Sequence, residues 1–188
     1  MSEFAPALAF VLAREGGFVD NPADSGGATN FGISLRFLRE LPEERRKRYG
    51  IFGDAPAFAD VKEMQIAQAA LIYEGEFWAH APFGELISQK LCNYVFDMCV
   101  HHGQPRAIKI LQRASWAVSG MYGYILDDGI LGKDTISVIN SQCIESAFSR
   151  SLFAAICSER AGFCRLLAEV RPKDEEFLHG WLDRCYRF

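Results

Sequence analysis

Phe4, Leu8, Val11 and Leu12 recur at helical spacing, which predicts an opening helix from about Phe4 to Glu15 that Gly16-Gly17 bring to a stop. The helical period lapses between Phe18 and Ile33. Two short extended pieces around Pro22 and Gly26-Gly27 predict a small β-hairpin or an irregular loop there. Almost everything afterwards is helical. Val61 to Trp78 is amphipathic, and Leu86 to Val100 is more continuously apolar, as suits a central buried helix. Gln104-Pro105 opens the next, with proline in the first turn, where its missing N–H costs nothing. The run Asp127-Asp128-Gly129-Ile130-Leu131-Gly132 predicts a turn, and Asp134 to Asn140, Ile144 to Val170 and Glu175 to Tyr186 predict helices, with Arg171-Pro172 ending the longest. The expected fold class is mostly α, a helical bundle with one small β-hairpin near the N-terminus. No internal repeat or low-complexity linker interrupts it, so its two halves are expected to pack together.

Composition narrows the function classes. With 188 residues, 49% of them hydrophobic, the chain can fill one compact domain or two small ones. A net charge of -4 argues against a basic nucleic-acid surface and against long-range attraction to an anionic polymer. The dense basic run Arg45-Arg46-Lys47-Arg48 follows Glu43-Glu44, so it reads as a solvated helix face with opposite charges paired. Six cysteines (Cys92, Cys99, Cys143, Cys157, Cys164, Cys185) form no Cys-x-x-Cys pair and have no histidine at ligand spacing. They are expected to be reduced packing residues, with no metal and no cofactor. Met1-Ser2-Glu3-Phe4-Ala5-Pro6 carries an acid where a secretory signal needs basic residues, and no run of 18 apolar residues occurs. Synthesis in the cytoplasm, without a Sec signal or a transmembrane segment, is the expectation.

The candidate chemistry begins at Glu15. It lies four residues after Val11 and seven after Leu8, on the apolar face of its helix, where desolvation disfavours the ionised carboxyl. That property suits a general acid near neutral pH. A second carboxylate that manages the reacting centre or activates water completes glycosidic chemistry, and Asp20 and Asp24 both follow in the loop, with Thr29 or Asn30 placed to orient the water. Asp24 reads equally well as a turn residue that bonds its own backbone, and Asp20 carries the same ambiguity. Tyr73, Phe77 and Trp78 fall on neighbouring helix positions, where they either stack on sugar rings or belong to the core. Asp97, four residues before His101, reads as a satisfied buried polar group or as a residue lining the cleft. His102 reads as structural before catalytic.

These segments together resemble glycoside hydrolase family 108, the lysozyme-like muramidases of phage endolysins and related bacterial proteins. The resemblance rests on Glu15-Gly16-Gly17-Phe18-Val19, on Pro22 to Thr29, on Phe31-Gly32-Ile33-Ser34, on Tyr73 with Phe77-Trp78, and on Val95 to Gly103. It implies a lysozyme-like fold and cleavage of the β-1,4 bond between N-acetylmuramic acid and N-acetylglucosamine. Glu15, Asp24 and Thr29 are the implied catalytic residues, and Asp20, Asn30, Tyr73, Trp78, Asp97 and His102 the implied substrate contacts. Asp20-Asn21-Pro22 stands where members of that family read Asn-Asp-Pro, so the second carboxylate role falls to Asp24. Ala107 to Arg113, Asp128 to Thr135 and Phe177 to Leu182 look like the peptidoglycan-binding region of such proteins. The expected organisation is a catalytic region over 1–90 and a helical peptidoglycan-binding region over 91–188. Peptidoglycan glycan strands are the expected partner of a monomer, with a holin, secretion machine or lysis event giving access to the wall. A lytic transglycosylase that yields anhydromuramyl products, or a non-catalytic wall-binding module, are the alternatives.

Overall fold

The computed structural model describes residues 1–20, 27–120 and 125–187. Among the described residues, ten α-helices, three 3-10 turns and one two-stranded antiparallel sheet make up the regular structure, so the chain is mostly α. It divides into two compact units, Leu8–His80 and Met1–Ala7 with Ala81–Phe188, and the division falls inside the first helix.

Helix α1 covers Phe4–Leu12. Its last turn continues as far as the predicted end, because the N–H of Ala13 bonds Ala9 and those of Arg14 and Glu15 both reach the carbonyl of Val11. Gly16 and Gly17 stop the helix without the left-handed backbone of a common C-cap, since neither has a positive φ. The following strands, β1 (Thr29–Asn30) and β2 (Ile33–Ser34), pair Thr29 with Ser34 and Asn30 with Ile33. A small hairpin is present with its turn at Phe31-Gly32, while the extended piece expected around Pro22 lies outside the described residues. Phe31 at φ 50° and Gly32 at φ 78° give the two consecutive positive φ values of a type I′ turn. Ser34 leaves the hairpin as the N-cap of α2 (Leu35–Glu40), accepting a hydrogen bond from the N–H of Phe37 at 3.1 Å.

Helix α3 (Glu43–Arg48) carries the basic run. Lys47 pairs with Glu43 one turn back, and Arg45 reaches Glu76 at 2.9 Å. Arg46 departs from the expected solvated face: it is 6% exposed and donates to the carbonyl of Asp54. The single helix predicted over Val61–Trp78 is three pieces, α4 (Phe58–Lys62), α5 (Ile66–Glu76) and a 3-10 turn at Trp78–His80. The break follows from local bonding, since the side chain of Gln68 accepts from the N–H of Gln65 and restarts the helix there. Val11, Ile33, Leu38, Val61, Ile72 and Tyr73 are core residues of this unit.

In the other unit, α6 (Gln89–His102) takes the central place its sequence implied, with eight of its side chains buried. Gly103 at φ 78° joins it to α7 (Gln104–Ser119). Helix α8 (Lys133–Ile144) follows the Asp127–Gly132 turn, and α9 (Ser146–Val170) stops before Pro172. A 3-10 stretch, Pro172–Phe177, leads into α10 (Leu178–Tyr186). Helix α9 packs along α7, α8 and α10. Buried Gln112 holds the 127–132 turn: its amide nitrogen donates to Asp128, Ile130 and Thr135, and its oxygen accepts from the N–H of Gly129.

Candidate active site at the hairpin turn

Glu15 ends an apolar helix turn, half-buried, with exposed Gly16 and Gly17 beside it. A Cβ placed on either glycine would meet nothing within 4 Å, so the two positions that follow Glu15 in the chain border open space. Gly32 is the opposite case. A Cβ there would lie 2.6 Å from Glu15 Oε2, 2.8 Å from Glu15 Cδ and 2.6 Å from the hydroxyl oxygen of Tyr73. The carboxyl and the phenol therefore converge over the bare backbone of the turn, their oxygens no farther apart than twice that 2.6 Å.

Tyr73 comes from α5 and is 1% exposed. Its hydroxyl donates to the carbonyl of Phe31 at 2.8 Å, which fixes the turn whose second residue touches Glu15. Its ring lies 5.5 Å from that of Phe77, and Phe77 stacks on Phe37 at 5.7 Å, so this aromatic group is built into the unit. Trp78, in the 3-10 turn that follows, stays half-buried.

Val19 and Thr29 exchange two backbone hydrogen bonds of 2.8 Å, clamping the two ends of the segment between them. Asp24 belongs to that segment and lies outside the described residues. Asp20 is exposed beside the clamp. Thr29 is half-buried and donates its hydroxyl to the carbonyl of Gly27 at 3.2 Å. Asn30 is 5% exposed, and its amide nitrogen bonds the carbonyl of Val61 at 3.0 Å, tying β1 to α4.

Asp97 and His102 belong to the other unit. Of the two alternatives in the sequence, Asp97 takes the buried one, with no exposed surface. Arg160 Nη1 stands 3.0 Å from its Oδ2, and Arg184 grips it with Nη2 2.7 Å from Oδ1 and Nε 3.2 Å away. His102 accepts from Arg160 Nε at 3.2 Å and faces the ring of Phe163. Burial lowers its pKa below the ordinary histidine value.

The approach of Gly32 to Glu15, and Arg160 and Arg184 as the partners of Asp97, were not legible in the sequence. A glycine in a two-residue turn is a legible signal, but its contact with a glutamate on another element is not. Among the described residues no cluster of three or more His, Cys, Asp or Glu could hold a metal ion, and no helix is long and apolar enough to cross a membrane. All six cysteines are free thiols.

A mostly helical chain with one small hairpin placed against a helix-terminal glutamate is of the lysozyme-like class. Residues 8–103 match the glycosyl hydrolase 108 family, and the chain belongs to it. Residues 106–186 match a predicted peptidoglycan domain. The solved structure of Brucella abortus SagA is similar over 97% of this chain and 88% of its own, at 26% sequence identity and a TM-score of 0.68. No curated protein matches the chain. The protein is a glycoside hydrolase that acts on peptidoglycan.

Proposed function

We propose that the protein is an N-acetyl-β-D-muramidase that cleaves the β-1,4 bond between N-acetylmuramic acid and N-acetylglucosamine, with Glu15 as general acid. The observation that carries this reading is the convergence of the Glu15 carboxyl and the Tyr73 hydroxyl over Gly32, with open space bordering Gly16 and Gly17, the two positions that follow Glu15 in the chain. A glycosidic oxygen needs a proton at the moment its bond to the anomeric carbon breaks. A half-buried carboxyl whose chain neighbours border open space can deliver it. Tyr73 holds the turn, so it positions Glu15 and does not itself touch sugar.

Asp24 is our candidate for the group that activates water or stabilises the oxocarbenium-like centre, in a segment whose ends the Val19–Thr29 bonds hold together. Thr29 orients that water, with Asp20 and Trp78 as sugar contacts, and Asn30 supports the strand from behind. Region 1–90 carries catalysis and 91–188 carries wall binding, where Asp97 and His102 contribute through the fold of their own unit. The protein acts as a monomer, made in the cytoplasm and admitted to the wall by a holin, a secretion machine or lysis.

Glu15→Gln tests the reading against purified peptidoglycan. The parent releases sugar reducing ends, and the variant keeps its melting temperature while losing roughly 100-fold or more of the rate, the usual scale for a general acid. Full activity in Glu15→Gln overturns it. Mass spectrometry of the products adds a second check, because fragments lighter by one water identify a lytic transglycosylase instead.

A further inference from the structure

Helices α7 and α9 line an open groove of about 280 Å³ in the part of the chain that matches a predicted peptidoglycan domain. Arg106, Lys109 and Arg113 line it from α7, spaced three and four residues apart and therefore on one helix face. Glu159, Gly162 and Phe163 line it from α9. The guanidinium of Arg106 lies 4.9 Å from the centroid of the Phe163 ring, and Arg113 bonds Asp127 at one end. Gly162 is exposed, and a Cβ on it would meet nothing within 4 Å, so the floor of the groove is bare backbone with room above it.

Three cations on one face are unexpected in a chain of net charge -4. Neutral sugars are held by aromatic faces and uncharged hydrogen bonds, whereas clustered Arg and Lys select carboxylates. In peptidoglycan the carboxylates belong to the peptide arms rather than to the backbone of the glycan. Where the diamino acid of an arm is not cross-linked it also presents an amine, and Glu159 faces the cations from the other wall. Phe163, half-buried, offers an apolar surface to alanine methyls, and the bare Gly162 lets a peptide main chain come close.

We propose that the α7–α9 groove binds the carboxylate-bearing peptide arm of peptidoglycan, so that this half of the protein reads the peptide while the other acts on the sugar. The proposal rests on the wall as substrate and not on the role of Glu15.

The probe is the sugar-free tetrapeptide L-alanyl-γ-D-glutamyl-meso-diaminopimelyl-D-alanine, titrated into the full chain by calorimetry. Binding to the parent should weaken as salt is raised, and Arg106→Ala or Lys109→Ala should each weaken it about fivefold, the scale of a partly solvated charge contact. Gly162→Leu projects a side chain into the open space and should abolish binding, whereas Gly162→Ala should keep it, and neither should lower the melting temperature, because glycine is the less favourable residue inside a helix. A parent that fails to bind the tetrapeptide at millimolar concentration, or a Gly162→Leu variant that binds as the parent does, overturns the proposal. Lost tetrapeptide binding beside normal release of reducing ends would sink the groove alone. Tetrapeptide binding beside a fully active Glu15→Gln would sink the muramidase reading alone.

Discussion

Gly32 is the residue against which Glu15 rests: the hairpin turn offers the carboxyl a bare backbone, and a methyl group there would lie 2.6 Å from Glu15 Oε2. The φ of +78° at Gly32 adds a second reason for glycine, because an L side chain is strained in that region. Gly32→Ala should therefore move the Glu15 carboxyl as well as the turn. We expect a stability loss of about 1–2 kcal/mol and a fall in kcat/KM of roughly 100-fold, the effect of displacing a reacting group by about 1 Å. Melting curves and reducing-end release check it. A Gly32→Ala enzyme with parental activity would show that Glu15 does not depend on the turn.

Tyr73→Phe separates the turn from the carboxyl. It deletes one hydroxyl and leaves the carbonyl of Phe31 without its 2.8 Å donor, in a turn where Phe31 holds an uncommon positive φ. The expected cost is about 1–3 kcal/mol in stability, with a rate loss smaller than that of Glu15→Gln, since a positioning residue is not the proton donor. An activity loss equal to that of Glu15→Gln, at unchanged melting, would instead make Tyr73 a participant in the chemistry.

These two residues show where the sequence was legible. The register that put Glu15 on the apolar face of its helix depends only on local periodicity, and the bond from its N–H to Val11 follows that register. The predominance of helix, the central place of α6 and the proline that opens α7 are legible for the same reason. The turn is not, because a Phe at positive φ is unfavourable on its own and is offset by Tyr73, a residue 42 positions away. The break in Val61–Trp78 had a local cue, the Gln65-x-x-Gln68 spacing, hidden beneath an uninterrupted apolar pattern. The buried place of Arg46 had none, since its helix reads as wholly polar.

Asp97 shows the same limit in the other unit. Its partner Arg184 is 87 positions away and Arg160 lies on a third helix, so neither was visible by spacing. Asp97→Asn should leave two guanidinium groups without a counter-charge, at a cost of about 3–5 kcal/mol. For a chain of this size that is a fall in Tm of roughly 10 °C. Arg184→Gln added to Asp97→Asn should lose less than the sum of the single changes, because the second removes a charge that the first left unpaired. Additive losses would show that the three groups do not act together.

The histidines that border this ion group give the unit a pH dependence of defined sign. Burial pushes His101 down from 6.5 to about 2, with the neighbouring His102, Arg184 and Arg160 adding to the effect. Burial lowers His102 too, opposed by its hydrogen bond with Cys164. Both rings are therefore neutral in the native state at a pH where the unfolded chain takes up protons. Their contribution to stability is complete above about 6.5 and is lost progressively as the pH falls towards 2. Each can contribute at most about 1.4 kcal/mol per pH unit, and less to the extent that water reaches these half-buried rings. Thermal melts should show stability falling from pH 7 to pH 5, a window above the ordinary carboxylate range. Arg160 Nη2 lies 3.2 Å from His101 Nδ1, so His101→Gln keeps a polar group there without a titrating ring. The slope of Tm against pH should flatten in His101→Gln, and a slope as steep as the parent's would assign the pH dependence to other groups.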